Sequence, residues 1–347
     1  MAAGVTDAKP GFRLALAATC LALVVVGLGA FTRLVDAGLG CPDWPGCYGH
    51  LLWPTADHEI AMADARFPQA PVETEKTWPE MVHRYAAGTL ALCIAGLALI
   101  SWWRREDREY PFRLPMLLLF LVVWQALFGM WTVTLKLWPQ VVTLHLLGGI
   151  STLALLWVLA LRLRNAPWVV PAAPAGRLRR LKPWMILGVV TVFCQIALGG
   201  WTSSNYAALA CADFPTCHGQ WWPAPDFARG FDVAQEVGPN YLGGLLESEA
   251  RTAIHVAHRL GALAVTLVLL GLAAALLAID WTGARRLAVA LSAALVLQIG
   301  LGVANVLLAL PLPVAVAHNL GAALLLLVLV TLAARTWTLR ESDGDPY

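Results

Sequence analysis

Long apolar runs alternate with short polar breaks along nearly the whole chain. Eight of them are long enough, at roughly 20 residues, to cross about 30 Å of hydrocarbon. They fall near 13–35, 82–103, 114–136, 140–162, 182–204, 252–278, 285–308 and 312–335. Prolines punctuate the gaps: Pro111 and Pro115, Pro139, Pro171 and Pro174, Pro183, Pro311 and Pro313. Proline cannot continue a helix from within, so it marks where helices begin and end. The pattern predicts an all-α integral membrane protein with eight transmembrane helices. The first run follows Lys9 and Arg13 as a signal peptide would. It is long, however, and Ala30-Phe31-Thr32-Arg33 offers no small-x-small cleavage site, so a retained helix is expected.

Composition agrees: 59% of residues are hydrophobic, 13% are charged and mean hydropathy is +0.66, which excludes an ordinary soluble domain. Charge then orients the spans. Arg104, Arg105, Arg108 and Arg113 lie between the second and third runs. Arg162, Arg164, Arg177, Arg179, Arg180 and Lys182 lie between the fourth and fifth. Arg285 and Arg286 lie between the sixth and seventh, and Arg335 and Arg340 end the eighth. With Lys9 and Arg13 these all fall on one side, which the positive-inside rule makes cytoplasmic. A bacterial cytoplasmic (inner) membrane with both termini cytoplasmic is expected. The long segments 36–80 and 205–250 then lie outside. They are acidic, with Asp36, Asp43, Asp57, Glu59 and Asp64 in one and Asp226, Asp232, Glu236, Glu247 and Glu249 in the other. No basic cluster interleaved with aromatics points to nucleic acid.

The chain also repeats itself. Gly29-Ala-Phe-Thr32 returns as Gly199-Gly-Trp-Thr202, and Gln125-Ala-Leu-Phe-Gly129 as Gln298-Ile-Gly-Leu-Gly302. Cys41-Pro-Asp43-Trp44-Pro45-Gly-Cys47 returns as Cys211-Ala-Asp213-Phe214-Pro215-Thr-Cys217. Cys41 and Cys211 differ by 170 positions, His83 and His258 by 175, so register is kept across blocks that only loop length separates. Four spans per unit preserve orientation. The expectation is two tandem four-helix bundles related by a pseudo-two-fold axis along the membrane normal. Segment 13–164 would be the N-terminal half, 165–181 a cytoplasmic linker and 182–335 the C-terminal half. Segments 1–12 and 336–347 would be cytoplasmic ends. Gln125, Gly129 and Thr132 share a helical stripe, as do Gln195, Gly199 and Thr202, and Gln298, Gly302 and Asn305. Such stripes read first as close helix packing in lipid; the alternative is that they line a ligand cavity.

Candidate chemistry sits in four histidines. His83, His145, His258 and His318 each open into an outer-leaflet turn, and each is followed at i+3 and i+4 by glycine or alanine: Ala86-Ala87, Gly148-Gly149, Gly261-Ala262 and Gly321-Ala322. Those positions lie on the face of the histidine one turn on. Ionisable groups inside a span are costly and mark function. Four at one depth, with no bulk beside them, suit imidazole ligands against a flat macrocycle. Zinc would want cysteine or carboxylate company and a closed tetrahedral set; one histidine from each of two facing helices suits haem iron. The pairs would be His83 with His145 and His258 with His318. Arg84 and Arg259 are candidate propionate contacts or interfacial snorkelling residues. Glu80 lies one turn before His83, where the repeat has His255. A carboxylate there could relay protons, orient the histidine or stabilise a cationic intermediate; the plainer reading is an acidic residue complementing a helix start. His255 has no assigned ligand role.

Cys41 and Cys47, and Cys211 and Cys217, lie in the outer segments, where paired cysteines favour disulfides. A structural clasp is expected for each pair, with thiol–disulfide exchange as the functional alternative and metal binding with His218 third. Cys20, Cys93 and Cys194 read as small apolar residues within spans.

Taken together, Glu80-x-x-His83-Arg84, the histidines on alternate spans, the eight-span tandem repeat and the cysteine pair of the first outer loop resemble the haem A synthase family, in its bacterial, cysteine-containing branch. The likeness runs over roughly 13 to 335. It implies that His258 and His318 are axial ligands of a haem b cofactor and that His83 and His145 serve the substrate, haem O, with Glu80 essential there. It implies a disulfide in at least the first loop. The implied reaction is oxidation of a porphyrin methyl group of haem O, by successive hydroxylations, to the formyl group of haem A for terminal-oxidase assembly. Implied or expected partners are the haem O-producing enzyme, oxidase assembly factors and an electron-transfer partner or quinone, since no dinucleotide fingerprint is present; a homo-oligomer is compatible. Two other classes stay open: a di-haem b electron carrier linked to quinone, and a membrane thiol–disulfide oxidoreductase.

Overall fold

The computed structural model describes residues 8–235 and 238–342. The start of the expected N-terminal segment, Glu236 and the end of the tail lie outside them. The chain runs α1 (Phe12–Leu34), α2 (Asp57–Arg66), α3 (Thr74–Trp103), α4 (Arg113–Thr134), α5 (Pro139–Arg164), β1 (Val169–Val170), α6 (Ala172–Arg180), α7 (Lys182–Ser204), α8 (Phe227–Gly230), α9 (Ser248–Leu277), α10 (Thr282–Leu307), α11 (Leu312–Thr338) and β2 (Arg340–Glu341). Eight of these helices are long and apolar enough to cross a membrane, and they match the eight apolar runs.

The ends differ where polar residues continue a helix past the hydrocarbon. α3 begins at Thr74 and α9 at Ser248, against the expected 82 and 252. Hydropathy marks the lipid crossing, not the first helical hydrogen bond. The consequence is functional: His83 and His258 do not open their helices but lie more than two turns inside them, at about 1.5 Å of rise per residue. Pro79 sits within α3 and gives no backbone N–H to its own helix, while its carbonyl accepts the Thr32 hydroxyl of α1 at 3.3 Å.

Each half closes as a ring of four. α1 packs on α3 and α5, and α4 packs on the same two; α7 packs on α9 and α11, and α10 on the same two. So α3 stands across from α5, and α9 across from α11. The halves meet through α1 with α11 and through α5 with α7 and α11. One continuous core runs through both. Its α5 stripe is Leu153, Leu156, Leu159 and Leu163, all at most 1% exposed and spaced three or four apart as a helix face requires. The opposite faces carry Leu92, Phe120, Val123, Leu267 and Val296, all exposed. Those faces need lipid, not water, as solvent.

Lipid supplies no hydrophobic drive between helices, so close packing and a few interhelical hydrogen bonds hold the seam. Trp157 Nε1 of α5 donates to Thr331 Oγ1 of α11 at 2.7 Å, and Thr143 and Ser204 share a hydrogen bond of 3.1 Å across α5 and α7. On the short-loop side, β1 pairs in parallel with β2, and the Arg335 guanidinium donates to the Ala166 carbonyl. The segment expected as a linker is therefore not featureless. It holds β1 and α6 and is tied to the C-terminal end of α11.

Both long loops lie at the other end, and each carries a disulfide, Cys41–Cys47 and Cys211–Cys217. The clasp expected from each cysteine pair is present. Within each ring an aspartate gathers the backbone. Asp43 accepts from Tyr48 N at 2.6 Å and Gly49 N at 2.7 Å. Asp213 accepts from His218 N at 2.7 Å, Gly219 N at 3.0 Å and the Thr216 hydroxyl at 2.6 Å. These bonds, the Thr216 hydroxyl foremost, hold the Asp213 carboxyl down to about 2.

Thr331→Val removes the acceptor of Trp157 and should lower stability by about 0.6–1.7 kcal/mol, read by thermal or detergent denaturation. Trp157→Phe should cost a similar amount, and the double change little more than either alone.

Candidate functional site

The four small-flanked histidines point inward at one level of the two rings. His83 comes from α3 and His145 from α5, across the first ring; their ring centroids are 6.5 Å apart and their planes nearly perpendicular, at 85°. His258 of α9 and His318 of α11 take the corresponding places in the second ring. All four are half-buried rather than sealed, although they face the bundle interior.

A glycine on a neighbouring helix sets each ring's position. A Cβ at Gly29 would lie 3.0 Å from His83 Cε1, and one at Gly129 3.5 Å from His145 Cε1. At Gly199 it would lie 3.3 Å from His258 Cε1, and at Gly302 3.1 Å from His318 Cε1. Any longer side chain there would push the imidazole aside. These are the glycines of the Gln-x-x-x-Gly stripes and of the Gly29-Ala-Phe-Thr32 block. The stripe was visible in the sequence, but its pairing with the histidines was not.

The residues present fit a macrocyclic iron ligand. Two imidazoles that bind one ion from opposite sides, at metal–nitrogen distances of about 2.0–2.1 Å, have centroids about 6 Å apart. Among the described residues, no group of three or more His, Cys, Asp or Glu is placed to hold a metal ion. A metal held at a histidine pair must therefore take its other ligands from a non-protein group, as haem iron does. Nδ1 of His83 and of His145 are also buried without a hydrogen-bond partner, which is costly in a low-dielectric interior.

Glu80 is 5% exposed and lies one turn before His83. Its Oε1 accepts from Arg84 Nη2, and its Oε2 accepts from the Cys41 backbone N–H at 2.9 Å. The other amine of Arg84 donates to the carbonyls of Asp43, Pro45 and Gly46 at 3.0, 3.2 and 2.6 Å. The carboxylate is thus stitched twice to the first disulfide ring. Arg259 holds the second ring in the same way, donating to Thr216 O and Asp213 O at 2.7 Å and to Cys211 O at 3.2 Å. The sequence offered Arg84 and Arg259 as candidate propionate contacts or interfacial snorkelling residues; in the structure both guanidiniums also donate to loop carbonyls. The physical reason is that a short disulfide ring leaves its carbonyls without ladder partners, and a guanidinium brings five donors and no acceptor.

The second ring differs at one position. Where Glu80 stands in the first, His255 is 4% exposed and its Nδ1 lies 2.9 Å from the Ala207 carbonyl. That contact fastens the loop without any charge.

Eight membrane-crossing helices and two inward histidine pairs define a polytopic, all-α membrane protein. Residues 12–330 match the COX15-CtaA family, described as cytochrome oxidase assembly protein, and the chain belongs to that family. A protein of Shewanella oneidensis named Heme A synthase is 46% identical over 316 residues, covering 91% of this chain and 93% of that one. One of the same name from Caulobacter vibrioides is 30% identical over 344 residues, covering 92% and 93%. Another from Shouchella clausii is 24% identical over 317 residues, covering 89% and 90%.

Arg84→Lys and Arg259→Lys keep the charge but lose the fork. Each should speed chemical reduction of its own loop's disulfide, and not the other's, by about tenfold, the equivalent of one charge-assisted hydrogen bond. Thiol alkylation after timed exposure to a phosphine reads this directly.

Proposed function

We propose that this chain is a membrane oxidoreductase of the haem A synthase kind. It converts haem O to haem A by successive oxidation of one porphyrin methyl group to formyl, for terminal-oxidase assembly. Family membership and the shared name of relatives covering nine-tenths of the chain support the reaction. The observation that carries the division of labour is the exchange of Glu80 for His255. A buried ion pair adds little net stability, and losing one partner of it costs about 3–5 kcal/mol. The second half folds the same loop onto the same helix with a histidine and one carbonyl. The fold therefore does not require the carboxylate, and its presence in one half marks the half where haem is changed.

On this reading, segment 13–164 is the substrate half and 182–335 the cofactor half. His83 and His145 hold the iron of haem O, and Ala86, Ala87, Gly148 and Gly149 leave its faces room. Taking the methyl carbon to formyl with one oxygen atom from water releases four protons and four electrons; the electrons leave through the second half to an outside acceptor, and Glu80, fixed by Arg84 and the Cys41 N–H, takes up a proton at a carboxylate oxygen. His258 and His318 would hold the iron of haem b, which when bound would supply one-electron transfer between the substrate half and an outside acceptor. That acceptor is a protein partner or a quinone. The protein sits in the bacterial cytoplasmic membrane with both termini cytoplasmic, because its arginine-rich breaks fall on the short-loop side. Haem O is too apolar to diffuse through water, which favours delivery by the enzyme that makes it.

His258→Ala or His318→Ala should abolish the bound b-type spectrum; full retention in either would overturn the cofactor assignment. Glu80→Ala should keep that spectrum while haem A output falls at least about a hundredfold, the usual loss on removing a general acid–base group. Chromatography and mass analysis of extracted haems gives both answers. Two b haems and no altered haem from the unmodified protein would instead identify an electron carrier.

A further inference from the structure

Both disulfide rings end in the same device, and what it presents has no part in the haem chemistry. Cys47 and His50 exchange backbone hydrogen bonds of 2.9 and 3.0 Å, and Cys217 and Gln220 do so at 2.9 and 3.1 Å. Each pair closes a two-residue hairpin. Its central residues, Tyr48-Gly49 and His218-Gly219, all have positive φ, the mirror-image turn that suits so tight a connection. Asp43 and Asp213 hold these turns by their N–H groups. The chain then leaves each turn through two large apolar residues, Leu51-Leu52 in the first half and Trp221-Trp222 in the second. Leu51 is 84% exposed and Trp221 80%, more than any other large apolar side chain among the described residues, and Leu52 and Trp222 are exposed beside them. None of the four lies in a helix.

Their height follows from the helices that hold the rings. The Tyr85 hydroxyl donates to the Leu51 carbonyl. Tyr85 lies two residues past His83 and is exposed on the side of α3 that also carries Leu92, the side that faces lipid. Helical side chains lean toward the N-terminus, so the hydroxyl reaches back to where the apolar run of α3 begins. The first hairpin tip therefore hangs at the level at which α3 enters hydrocarbon. Arg259 fixes the second ring at the corresponding place, through the Thr216 and Asp213 carbonyls, and the neighbouring Leu260 is exposed on α9 as Tyr85 is on α3. The two tips share no side-chain shape, since one is Leu-Leu and the other Trp-Trp. A protein partner selects shape. What the tips share is apolar surface, which the boundary between headgroups and acyl chains accepts whatever its outline.

We infer that both disulfide hairpins are membrane anchors, with Leu51, Leu52, Trp221 and Trp222 seated at the headgroup–acyl boundary of the leaflet on the long-loop side. Their partner is phospholipid. The disulfide, the aspartate and the tight turn make each hairpin stiff, so that its tip enters the boundary without the rest of the loop following. Because Arg84 and Arg259 bond the same rings, the anchors set the height at which each ring sits over its histidine pair. The inference does not depend on which haem either pair holds.

The test uses the full-length protein in nanodiscs of dioleoylphosphatidylcholine. The photoreactive residue benzoylphenylalanine is placed at 52 in one variant, at 222 in a second, and at 58 in a third as reference. His58 is exposed too, but it lies between Asp57 and Glu59 on α2. After near-ultraviolet irradiation the first two variants should gain the mass of one phospholipid severalfold more often than the third. A yield at either 52 or 222 no greater than at 58 would overturn the inference. Should a variant fail to fold, the same residue at 51 or at 221 gives the reading for that hairpin. Irradiation in intact cell membranes is the second arm. Lipid adducts there should again dominate at 52 and 222; a discrete protein adduct in their place would overturn the inference and assign the tips to a protein partner.

Discussion

The contact between an intramembrane imidazole and a glycine on the next helix governs the rest of this structure. It occurs four times, with Gly29, Gly129, Gly199 and Gly302 each against a Cε1 edge. A Cβ at Gly29, Gly199 or Gly302 would press on the ring, and one at Gly129 would meet it at van der Waals contact. Glycine is a poor helix former by about 1 kcal/mol relative to alanine, so its use in mid-span needs a return. The return is a histidine brought to the centre of a four-helix ring at a fixed height. In lipid, where apolar side chains gain nothing by leaving their solvent, such close approaches are what define a helix interface. The rings α1–α3–α4–α5 and α7–α9–α10–α11 are the arrangement that lets every imidazole meet its glycine while facing inward.

The long loops depend on the same histidine-bearing helices. One turn before His83 and His258, α3 and α9 each present a residue that fastens the loop, and one turn of register also brings Arg84 and Arg259 beneath the disulfide rings. Cap and bundle are thus one mechanical unit: the ring's carbonyls satisfy the guanidinium, and the guanidinium holds the ring over the histidine pair. In the first half the unit includes a carboxylate, and there the Cys41 N–H reaches one of its oxygens. Movement of that ring moves Glu80, and movement of the second ring moves no charged group of comparable burial.

What the sequence revealed and what it hid follow from the range of the interactions involved. The eight crossings are legible because each is a local property, a run of apolar residues long enough for the bilayer. The histidine pairs are legible because small residues at i+3 and i+4 are also local. The true starts of α3 and α9 are not, because helicity there persists through Thr74–Thr77 and Ser248–Arg251, which no lipid criterion marks. The short elements are hidden for the opposite reason. β1 and β2 are two residues each and exist only because the ends of α5 and α11 lie side by side. The loop contacts of Arg84 are hidden because they are made with carbonyls some forty residues away, which no local pattern marks.

A duplicated scaffold becomes asymmetric through few positions, and the positions matter more than their number. Glu80 against His255 changes what can happen chemically beside a histidine pair. Val25 against Gln195 exchanges an apolar side chain for an amide beside a histidine. Neither exchange disturbs the glycine contacts, the aspartate-gathered rings or the closed four-helix packing, all of which recur in both halves. Chemistry beside one histidine pair can therefore change without re-solving the fold. A site that transforms its haem must release it, and a site that only relays electrons must not. On the proposed reading, placing the reactive carboxylate beside His83 keeps it away from the haem that stays at His258 and His318.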